Sequence, residues 1–210
     1  MDQPDTAANE SVPQPLTQKI LLYWTLVGSL MFNVIYFSFG AISPNYDMMR
    51  QSISELELIP YGWIQSVNFV LFGLCVCGFA AFMHKELAGG FGADWIPLCQ
   101  LLIALGLIMS GVFIHPPIHN AGCIIAYMAQ LVSLLLFARR FAGDSRWKGW
   151  KNYSLITVTA MIVMLGLYLF ARHRNGPYAG LPERMVIGVR LLWTVLLTIN
   201  LLFGRRLTKV

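Results

Sequence analysis

Residues 62–83 read GWIQSVNFVLFGLCVCGFAAFM and contain no charged side chain. A helix needs about 20 predominantly apolar residues to cross the hydrocarbon core of a bilayer. Because only a helix satisfies its own backbone hydrogen bonds in lipid, a run of this length and composition predicts a membrane-spanning helix. Five further apolar runs predict five more spans, at residues 20–42, 95–114, 120–138, 153–171 and 185–204.

The composition of the whole chain agrees with six spans. Hydrophobic residues make up 57% and charged residues 12% of the 210 residues, whereas soluble domains average about 45–50% apolar and about 25% charged residues. Six spans of about 20 residues use about 120 residues, which leaves no room for an appended soluble catalytic domain. We therefore predict an all-α polytopic membrane bundle of six transmembrane helices over residues 19–206, plus a short interfacial helix.

The basic residues predict which side of the membrane each end of the bundle faces, since Lys and Arg are enriched in cytoplasmic loops. With six spans both termini share a side, and ten of the 15 basic residues lie on that side, against four on the other. The termini are therefore expected in the cytoplasm, and the connections at residues 43–61, 114–119 and 172–184 are expected outside. Residues 1–18 are polar and contain prolines, which predicts a disordered cytoplasmic tail and not a cleavable signal peptide.

The first outer connection contains an amphipathic segment. Met49, Ile53 and Leu56 share one side of a helix, so the segment predicts a short helix along the membrane interface. Ser52 and Glu55 fit a capping box, in which the serine accepts a backbone N–H and the glutamate reaches back to the N–H of Ser52. In the alternative interpretation, Glu55 turns inward as a counter-ion or a ligand.

A polar stripe follows directly. Tyr61, Gln65 and Asn68 recur at helical spacing along the outer half of the second span. Lipid does not favour such a stripe, so we expect it to face the bundle interior. It predicts either part of a binding site or ordinary hydrogen bonding between helices, which contributes about 0.6–2 kcal/mol per contact.

The second outer connection holds two histidines on either side of Pro116-Pro117. Because the prolines force an extended turn, His115 and His119 do not share a helix face as a zinc protease pair does. Each histidine is open to three interpretations: a structural hydrogen bond, ligand binding or acid–base chemistry, and a metal ligand. We expect no metal and no other cofactor, with His115 and His119 as weak metal candidates. The four cysteines lack metal-ligand spacing and are interpreted as small buried apolar residues.

The third outer connection leads into the sixth span through Glu183 and Arg184. The helix dipole favours a glutamate at this position. Arg190 lies seven residues further on the same helix face, about 10 Å deeper. A charge at that depth marks a functional site by default, with snorkelling towards the surface as the alternative. We expect Glu55 or Glu183 as the partner of Arg190, since Glu57 should sit nearer water.

Three short motifs carry a family resemblance: SISEL at residues 52–56, His115-Pro116 followed by His119-Asn120, and Glu183-Arg184. In this order and spacing they resemble the bacterial six-span membrane proteins of domain-of-unknown-function family 998, over residues 20–204. That family has an SISELG-like stretch after the first span, a proline-containing turn leading to HN at the fourth, and a Q/E-R pair at the last. The chain departs from the pattern at Glu57, which replaces the glycine, and at Pro116-Pro117, where an acidic residue is often found. The resemblance implies the fold, the functional positions and a bacterial cytoplasmic membrane, and it carries no established activity.

The function that we favour from the sequence is an outward-facing polar pocket that binds a lipid headgroup or a small amphiphile. Arg184 or Arg190 would hold a phosphate or carboxylate, because guanidinium matches such oxyanions bidentately. Membrane lipids are the expected partners, and no nucleic-acid partner is expected because the basic residues sit at the ends of spans. The predicted binding residues are Ser52, Ser54, Glu55, Tyr61, Gln65, Asn68, His115, His119, Asn120, Glu183, Arg184 and Arg190.

Two alternatives belong to other classes. One is an intramembrane hydrolase or transferase of a lipid-like substrate, with a general base, an acid and a hydroxyl nucleophile. Its catalytic candidates are His119, Glu55, Glu183 and Ser54, with Ser52 as a second possible nucleophile. The other is a structural or assembly protein whose polar groups bind only one another.

Overall fold

The computed structural model describes residues 15–87, 89–174, 176–203 and 207. Two short 3-10 helices lie in the connections, at Ile53–Leu58 and Ser145–Trp147. Six α-helices are long and apolar enough to span a membrane, and the described residues contain no strand. The predicted six-span helical bundle is confirmed, and the protein is a multi-pass membrane protein. In chain order the long helices are α1 Leu16–Ile42, α2 Trp63–Glu86, α3 Trp95–Val112, α4 Ile118–Ala142, α5 Trp150–His173 and α6 Gly180–Leu202.

Two helices begin four or five residues earlier than the hydropathy predicts. Residues 16–18, expected in the disordered tail, form the first turn of α1, while residues 1–14 lie outside the described residues. α6 begins at Gly180, because Pro182 suits a first helical turn and needs no partner for a backbone N–H. Glu183 and Arg184 are therefore part of α6 itself and not of the connection before it.

The six long helices form a closed ring in chain order. Each helix packs against the next, and α6 returns to pack against α1, with which it forms the least extensive of the six seams. The connections at residues 43–62, 113–117 and 174–179 form what we call the upper end of the ring. The connections at residues 87–94 and 143–149 form the lower end.

The predicted short helix is present at the upper end, and its apolar side points into the ring. Ile53 and Leu56 are 1% and 0% exposed, because a 3-10 helix places residues three apart on one side. Met49, predicted on the same side, precedes this helix and is exposed. The short helix contacts α1, α2 and α6. We call residues 52–58 the plug.

The lower half of the ring is filled by aromatic side chains and closed by an arginine. The ring centroids of Phe141, Trp147 and Trp150 lie 4.9–5.7 Å apart. Arg140 is buried and donates hydrogen bonds to the carbonyl oxygens of Gly89, Phe91 and Leu207. Its guanidinium therefore ties the connection between α2 and α3 to Leu207, which follows α6.

α3 and α4 cross closely through two glycines. A Cβ built on Gly106 would lie 2.4 Å from the Gly122 carbonyl oxygen, and one on Gly122 would lie 2.7 Å from the Gly106 carbonyl oxygen. Backbone atoms cannot move aside unless the helices separate. We expect Gly106→Ala to lower the free energy of unfolding by about 1–3 kcal/mol through overpacking, as measured by denaturation in mixed micelles.

Gly166→Ala is the matched control for this prediction. Gly166 lies inside α5, where an added Cβ meets no atom within 4 Å. This variant should leave stability unchanged or raise it by up to about 1 kcal/mol, since alanine is the better helix former. Equal losses in Gly106→Ala and Gly166→Ala would contradict the close crossing of α3 and α4.

Candidate functional site

The plug and the residues just before it are fixed to α6 through their backbone groups. The Ile53 N–H donates to Glu183 Oε2 at 2.9 Å, and the Gly180 N–H donates to the Met49 carbonyl oxygen at 2.8 Å. A Cβ on Gly180 would meet the Gln51 carbonyl oxygen at 2.3 Å, so the approach requires glycine. Glu183 therefore holds the plug and does not pair with Arg190, which corrects one of the two predicted partnerships.

The guanidinium of Arg184, on α6, also joins this helix to the connection that contains the plug. Its Nη1 donates to the Gln51 and Gly180 carbonyl oxygens at 2.9 and 2.8 Å, and its Nη2 donates to the Tyr46 hydroxyl. That hydroxyl donates in turn to the Ser52 carbonyl oxygen at 2.7 Å. Burial raises the pKa of Tyr46 to about 12, against the opposing effect of the Arg184 charge. Because the protein itself occupies both terminal nitrogens of Arg184, the geometry gives this residue a structural role.

Glu55 makes the predicted capping box, but it does not turn inward and pairs instead with a half-exposed arginine at the upper end. Its Oε2 accepts the Ser52 N–H at 2.6 Å, which completes the capping box. Its carboxylate also pairs with the Arg172 guanidinium, at 2.8 Å to Oε1 and 3.3 Å to Oε2. Partial burial acts to raise the pKa of Glu55, but the hydrogen bonds from Arg172 and Ser52 outweigh it and hold the pKa below its usual value. The counter-ion of Glu55 is therefore Arg172, and the predicted pair with Arg190 is wrong.

A second polar cluster joins the plug to α2, α3 and α4. Glu57 Oε1 accepts the Ser66 hydroxyl at 2.8 Å, and Glu57 Oε2 lies 3.5 Å from His119 Nδ1. His119 Nδ1 also lies 2.9 Å from the Ser110 carbonyl oxygen, and its Nε2 lies 3.6 Å from Cys123 Sγ. Burial raises the pKa of Glu57, while Ser66 and His119 act to lower it. Glu57 is 6% exposed, so the expectation that it sits nearer water is wrong, because the plug turns inward.

A cavity of about 50 Å³ lies beneath the plug. Its walls are largely apolar, with Phe32, Phe69 and Phe72 among them. Its polar lining comes from the plug and from α3, α4 and α6: Ser54, Ser110, Cys123, Tyr127, Gln130, Glu183 and Arg190.

The cavity does not gather the three residues that the sequence predicts around one buried guanidinium. Arg190 lines it, but Glu55 and His119 do not. Each of these two has another partner at the upper end, Arg172 for Glu55 and Glu57 for His119. The cavity instead places Arg190 with residues of α4 and with Glu183.

Arg190 differs from Arg140 and Arg184, which donate to backbone carbonyl oxygens at the two ends of the ring. It lies about 15 Å along α6 from the first residue of the helix. Its guanidinium carbon is 5.4 Å from the Phe72 ring centroid, and no hydrogen bond or ion pair joins it to the described part of the chain. A charge at mid-span costs about 2.5–3.5 kcal/mol, more than a cation–π contact of about 0.5–2 kcal/mol returns. An unpaired guanidinium in a cavity is therefore suited to an anionic group.

Several predicted site residues lie away from the cavity. Tyr61, His115 and Asn120 are exposed, and Tyr61 has a left-handed φ of 64° just before α2 begins. The predicted stripe therefore consists of Gln65 and Asn68 alone. Asn68 Nδ2 donates to a carbonyl oxygen of α1 at 3.0 Å and to Gln65 Oε1 at 3.2 Å, which is the interhelical bonding that we considered as the alternative.

The two serines considered as nucleophiles are not next to the histidine considered as a base. The Ser52 and Ser54 hydroxyl oxygens lie 3.2 Å apart, and Ser52 Oγ lies 3.2 Å from Glu55 Oε2. The side chain next to His119 Nε2 is Cys123. The geometry therefore pairs the imidazole with a thiol and not with a hydroxyl.

Three residues of α4 with polar or reactive side chains that line the cavity are missing from the predicted site: Cys123, Tyr127 and Gln130. They follow His119 by four, eight and eleven residues, which places all four side chains on one helix face. This spacing is visible in the sequence. The sequence interpretation treated all four cysteines as small buried apolar residues, and Cys123 was therefore not included among the predicted site residues.

Metal ligation has no support in the arrangement of side chains. Residues 15–87, 89–174, 176–203 and 207 contain no group of three or more His, Cys, Asp or Glu that could hold a metal ion. The chemistry that the site offers is that of a guanidinium, a thiol, an imidazole and carboxylates.

Comparison with known proteins adds a family. A family model described as "Protein of unknown function (DUF998)" matches residues 26–200, a range that includes the plug, the cavity and parts of all six long helices. No curated protein and no solved structure gives a match. The chain therefore belongs to the DUF998 family, to which its motifs at residues 52–56, 115–120 and 183–184 are similar.

Proposed function

We propose that the protein binds the anionic group of a membrane amphiphile, a phosphate or a carboxylate, against Arg190. The observation that carries this proposal is the unpaired guanidinium of Arg190 in the cavity beneath the plug. Guanidinium binds such oxyanions with two parallel hydrogen bonds. A bound anion would supply the charge partner that neither Glu55 nor Glu183 provides.

The size of the cavity limits what enters it. A volume of about 50 Å³ exceeds the share of one water molecule in the liquid, about 30 Å³, and is far below the roughly 300–1,000 Å³ of pockets that enclose drug-sized ligands. The cavity therefore takes the charged group and the few atoms next to it, and most of the hydrocarbon part of the ligand stays outside. Glu183 lines the same cavity, about 10 Å nearer the upper end, and disfavours a second negative charge there.

The seam between α1 and α6 provides the path for the hydrocarbon part. Arg190 also lines a small cleft of about 10 Å³ with Ser29 and Asn33 of α1 and Thr194 of α6. This seam is the least extensive in the ring. An amphiphile in the bilayer would place its charged group between α1 and α6 and keep its chains in lipid.

The proposal includes an orientation. The excess of Lys and Arg on the side of the termini supports a cytoplasmic lower end and an outward-facing upper end. The plug and the cavity beneath it would then lie in the outer half of a cytoplasmic membrane. The ligand would be drawn from the outer leaflet.

Native mass spectrometry of the purified protein tests the proposal. The protein is incubated in detergent with equal amounts of phosphatidylglycerol, oleate and dioleoylglycerol, which carries neither a phosphate nor a carboxylate, washed with lipid-free detergent, and weighed intact. We expect one phosphatidylglycerol or one oleate to stay bound while dioleoylglycerol is lost, and the added mass distinguishes a phosphate from a carboxylate. Retention of dioleoylglycerol at the same level as both anionic amphiphiles would overturn the proposal.

A further inference from the structure

The thiol of Cys123 and the imidazole of His119 are arranged as a nucleophile and a base. The Ser110 carbonyl oxygen, 2.9 Å from His119 Nδ1, can only accept a hydrogen bond, so Nδ1 carries the hydrogen. The lone pair of Nε2 is then free and faces Cys123 Sγ at 3.6 Å. This is the tautomer that a general base needs in order to take the thiol proton.

Glu57 completes the arrangement from the plug. Its Oε2 lies 3.5 Å from His119 Nδ1, with 0% of its side chain exposed. This oxygen has no hydrogen-bond partner among the described residues, while Oε1 is held by the Ser66 hydroxyl. A carboxylate beside Nδ1 stabilises the imidazolium that forms when Nε2 accepts a proton. Glu57 is thus a positioning residue that acts through His119.

Cys123 faces the space in which the ligand would lie. It lines the same cavity as Arg190. Tyr127 follows Cys123 by one helical turn and also lines that cavity. The other three cysteines, Cys75, Cys77 and Cys99, have no imidazole or carboxylate partner in the described ranges. One cysteine of four is therefore both next to an imidazole and placed in the candidate site.

We propose that the protein transfers acyl groups, with Cys123 as the nucleophile towards an ester-linked acyl chain of a membrane lipid. The inference rests on the proposed function, because Arg190 would hold the phosphate of the lipid. In a glycerophospholipid the acyl ester lies only a few bonds from that phosphate. Binding of the phosphate at Arg190 would therefore bring the electrophilic carbonyl carbon of the ester close to the cavity that Cys123 lines.

The reaction balances without any redox partner. As the sulfur bonds to the carbonyl carbon, the thiol proton passes to His119 Nε2, and the C–O bond to the alcohol then breaks. The departing alcohol oxygen takes the proton from Nε2, which leaves a thioester on Cys123. Water or a second alcohol next attacks the thioester and gives its proton to Nε2, and the departing thiolate takes that proton back.

The test uses a neutral probe, 4-nitrophenyl octanoate, with the full-length protein in detergent. Peptide mass spectrometry measures octanoylation at each cysteine, and treatment with neutral hydroxylamine identifies thioesters. We expect octanoylation of Cys123 at least tenfold above that of Cys75, Cys77 or Cys99, which serve as internal controls. Equal labelling of all four cysteines, or none at Cys123, would overturn the proposal without any variant having to fold.

Two variants test the base and its positioning residue. His119→Gln should slow the acylation of Cys123 by at least about 100-fold, the usual contribution of a general base. Glu57→Gln should slow the acylation rate without changing the probe concentration at half-saturation, and Glu57→Asp should recover part of the rate. Unchanged acylation rates in both folded variants would overturn the proposal.

Because the probe carries no negative charge, this experiment does not depend on Arg190. Absence of acylation together with selective retention of an anionic amphiphile would reject the acyl transfer alone. Acylation of Cys123 in a protein that shows no preference for anionic amphiphiles would reject the proposed function. It would not reject acyl transfer by Cys123, whose substrates would then be other lipids. The two failures are therefore distinguishable.

Discussion

Arg190→Gln is expected to weaken the binding of phosphatidylglycerol by about 10- to 100-fold. Hydrogen bonds to a charged group contribute about 1.5–3 kcal/mol, and each 1.4 kcal/mol corresponds to about a factor of ten in the dissociation constant. Glutamine keeps a polar side chain but is shorter than arginine and carries no charge. Arg190→Lys should lose less, since it keeps the charge and gives up only the bidentate geometry. Titration of the detergent-solubilised protein with fluorescent phosphatidylglycerol measures these dissociation constants.

Arg50→Gln is the matched control for Arg190→Gln. Arg50 is an exposed arginine in the connection between α1 and α2 at the upper end, so its removal changes the net charge equally but leaves the cavity intact. We expect its dissociation constant to stay within about twofold of the wild type, because exposed charges are screened by salt. Equal weakening by Arg50→Gln and Arg190→Gln would show general attraction to the basic surface and not a site at Arg190.

Arg184→Met should cause the largest loss of stability among the single variants considered. Arg184 is 7% exposed, and its guanidinium donates to Gln51, Gly180 and Tyr46. Methionine fills part of the volume but leaves these buried acceptors without a donor. A buried acceptor left without its donor costs about 1–3 kcal/mol, so we expect a total loss of about 3 kcal/mol or more, which denaturation in mixed micelles measures.

Arg172→Met is the comparison for this second prediction. Arg172 also bonds the upper connection, through Glu55, but its side chain is 49% exposed. Exposed ion pairs contribute only about 0–1 kcal/mol, so this variant should remain close to wild-type stability. A loss in Arg172→Met equal to that in Arg184→Met would contradict the structural role assigned to Arg184.

The fold was predictable because each span is long enough and apolar enough to be recognised from the sequence. Residues 62–83 lack charge and are long enough to cross a bilayer. The other runs have 19–23 residues and also lack charge, apart from Arg190 in the run 185–204. The helix ends were less predictable. Hydropathy assigns Pro182 and Glu183 to the connection before α6, because neither residue is strongly apolar. The helix nevertheless begins before them, at Gly180.

The candidate site was predictable only in part, because side-chain partnerships depend on the packing of distant segments. Arg190 stands out by its depth in an apolar span, and that signal requires no knowledge of neighbours. The partner of Glu55 could not be predicted, since Arg172 lies 117 residues further along the chain. Glu57 illustrates the same limit: an acidic residue in a connection predicts exposure, yet the inward turn of the plug buries it.

The spacing on α4 shows what a closer sequence interpretation could have found. His119 and Cys123 are four residues apart and therefore neighbours on one helix face. Local spacing thus predicts the thiol–imidazole contact. The approach of Glu57 to that imidazole depends on the folding of the plug and lies beyond sequence patterns.

The unfolding of wild type and Arg190→Gln at increasing phosphatidylglycerol concentration tests most directly whether Arg190 is a ligand-binding residue. Without the lipid, Arg190→Gln should be at least as stable as the wild type, because it removes an unpaired charge from mid-span. Above the dissociation constant, the wild type should gain about 1.4 kcal/mol of unfolding free energy for each tenfold increase in lipid, while Arg190→Gln should gain little. Parallel gains in both proteins, or a lipid-free Arg190→Gln protein several kcal/mol less stable than the wild type, would contradict the account.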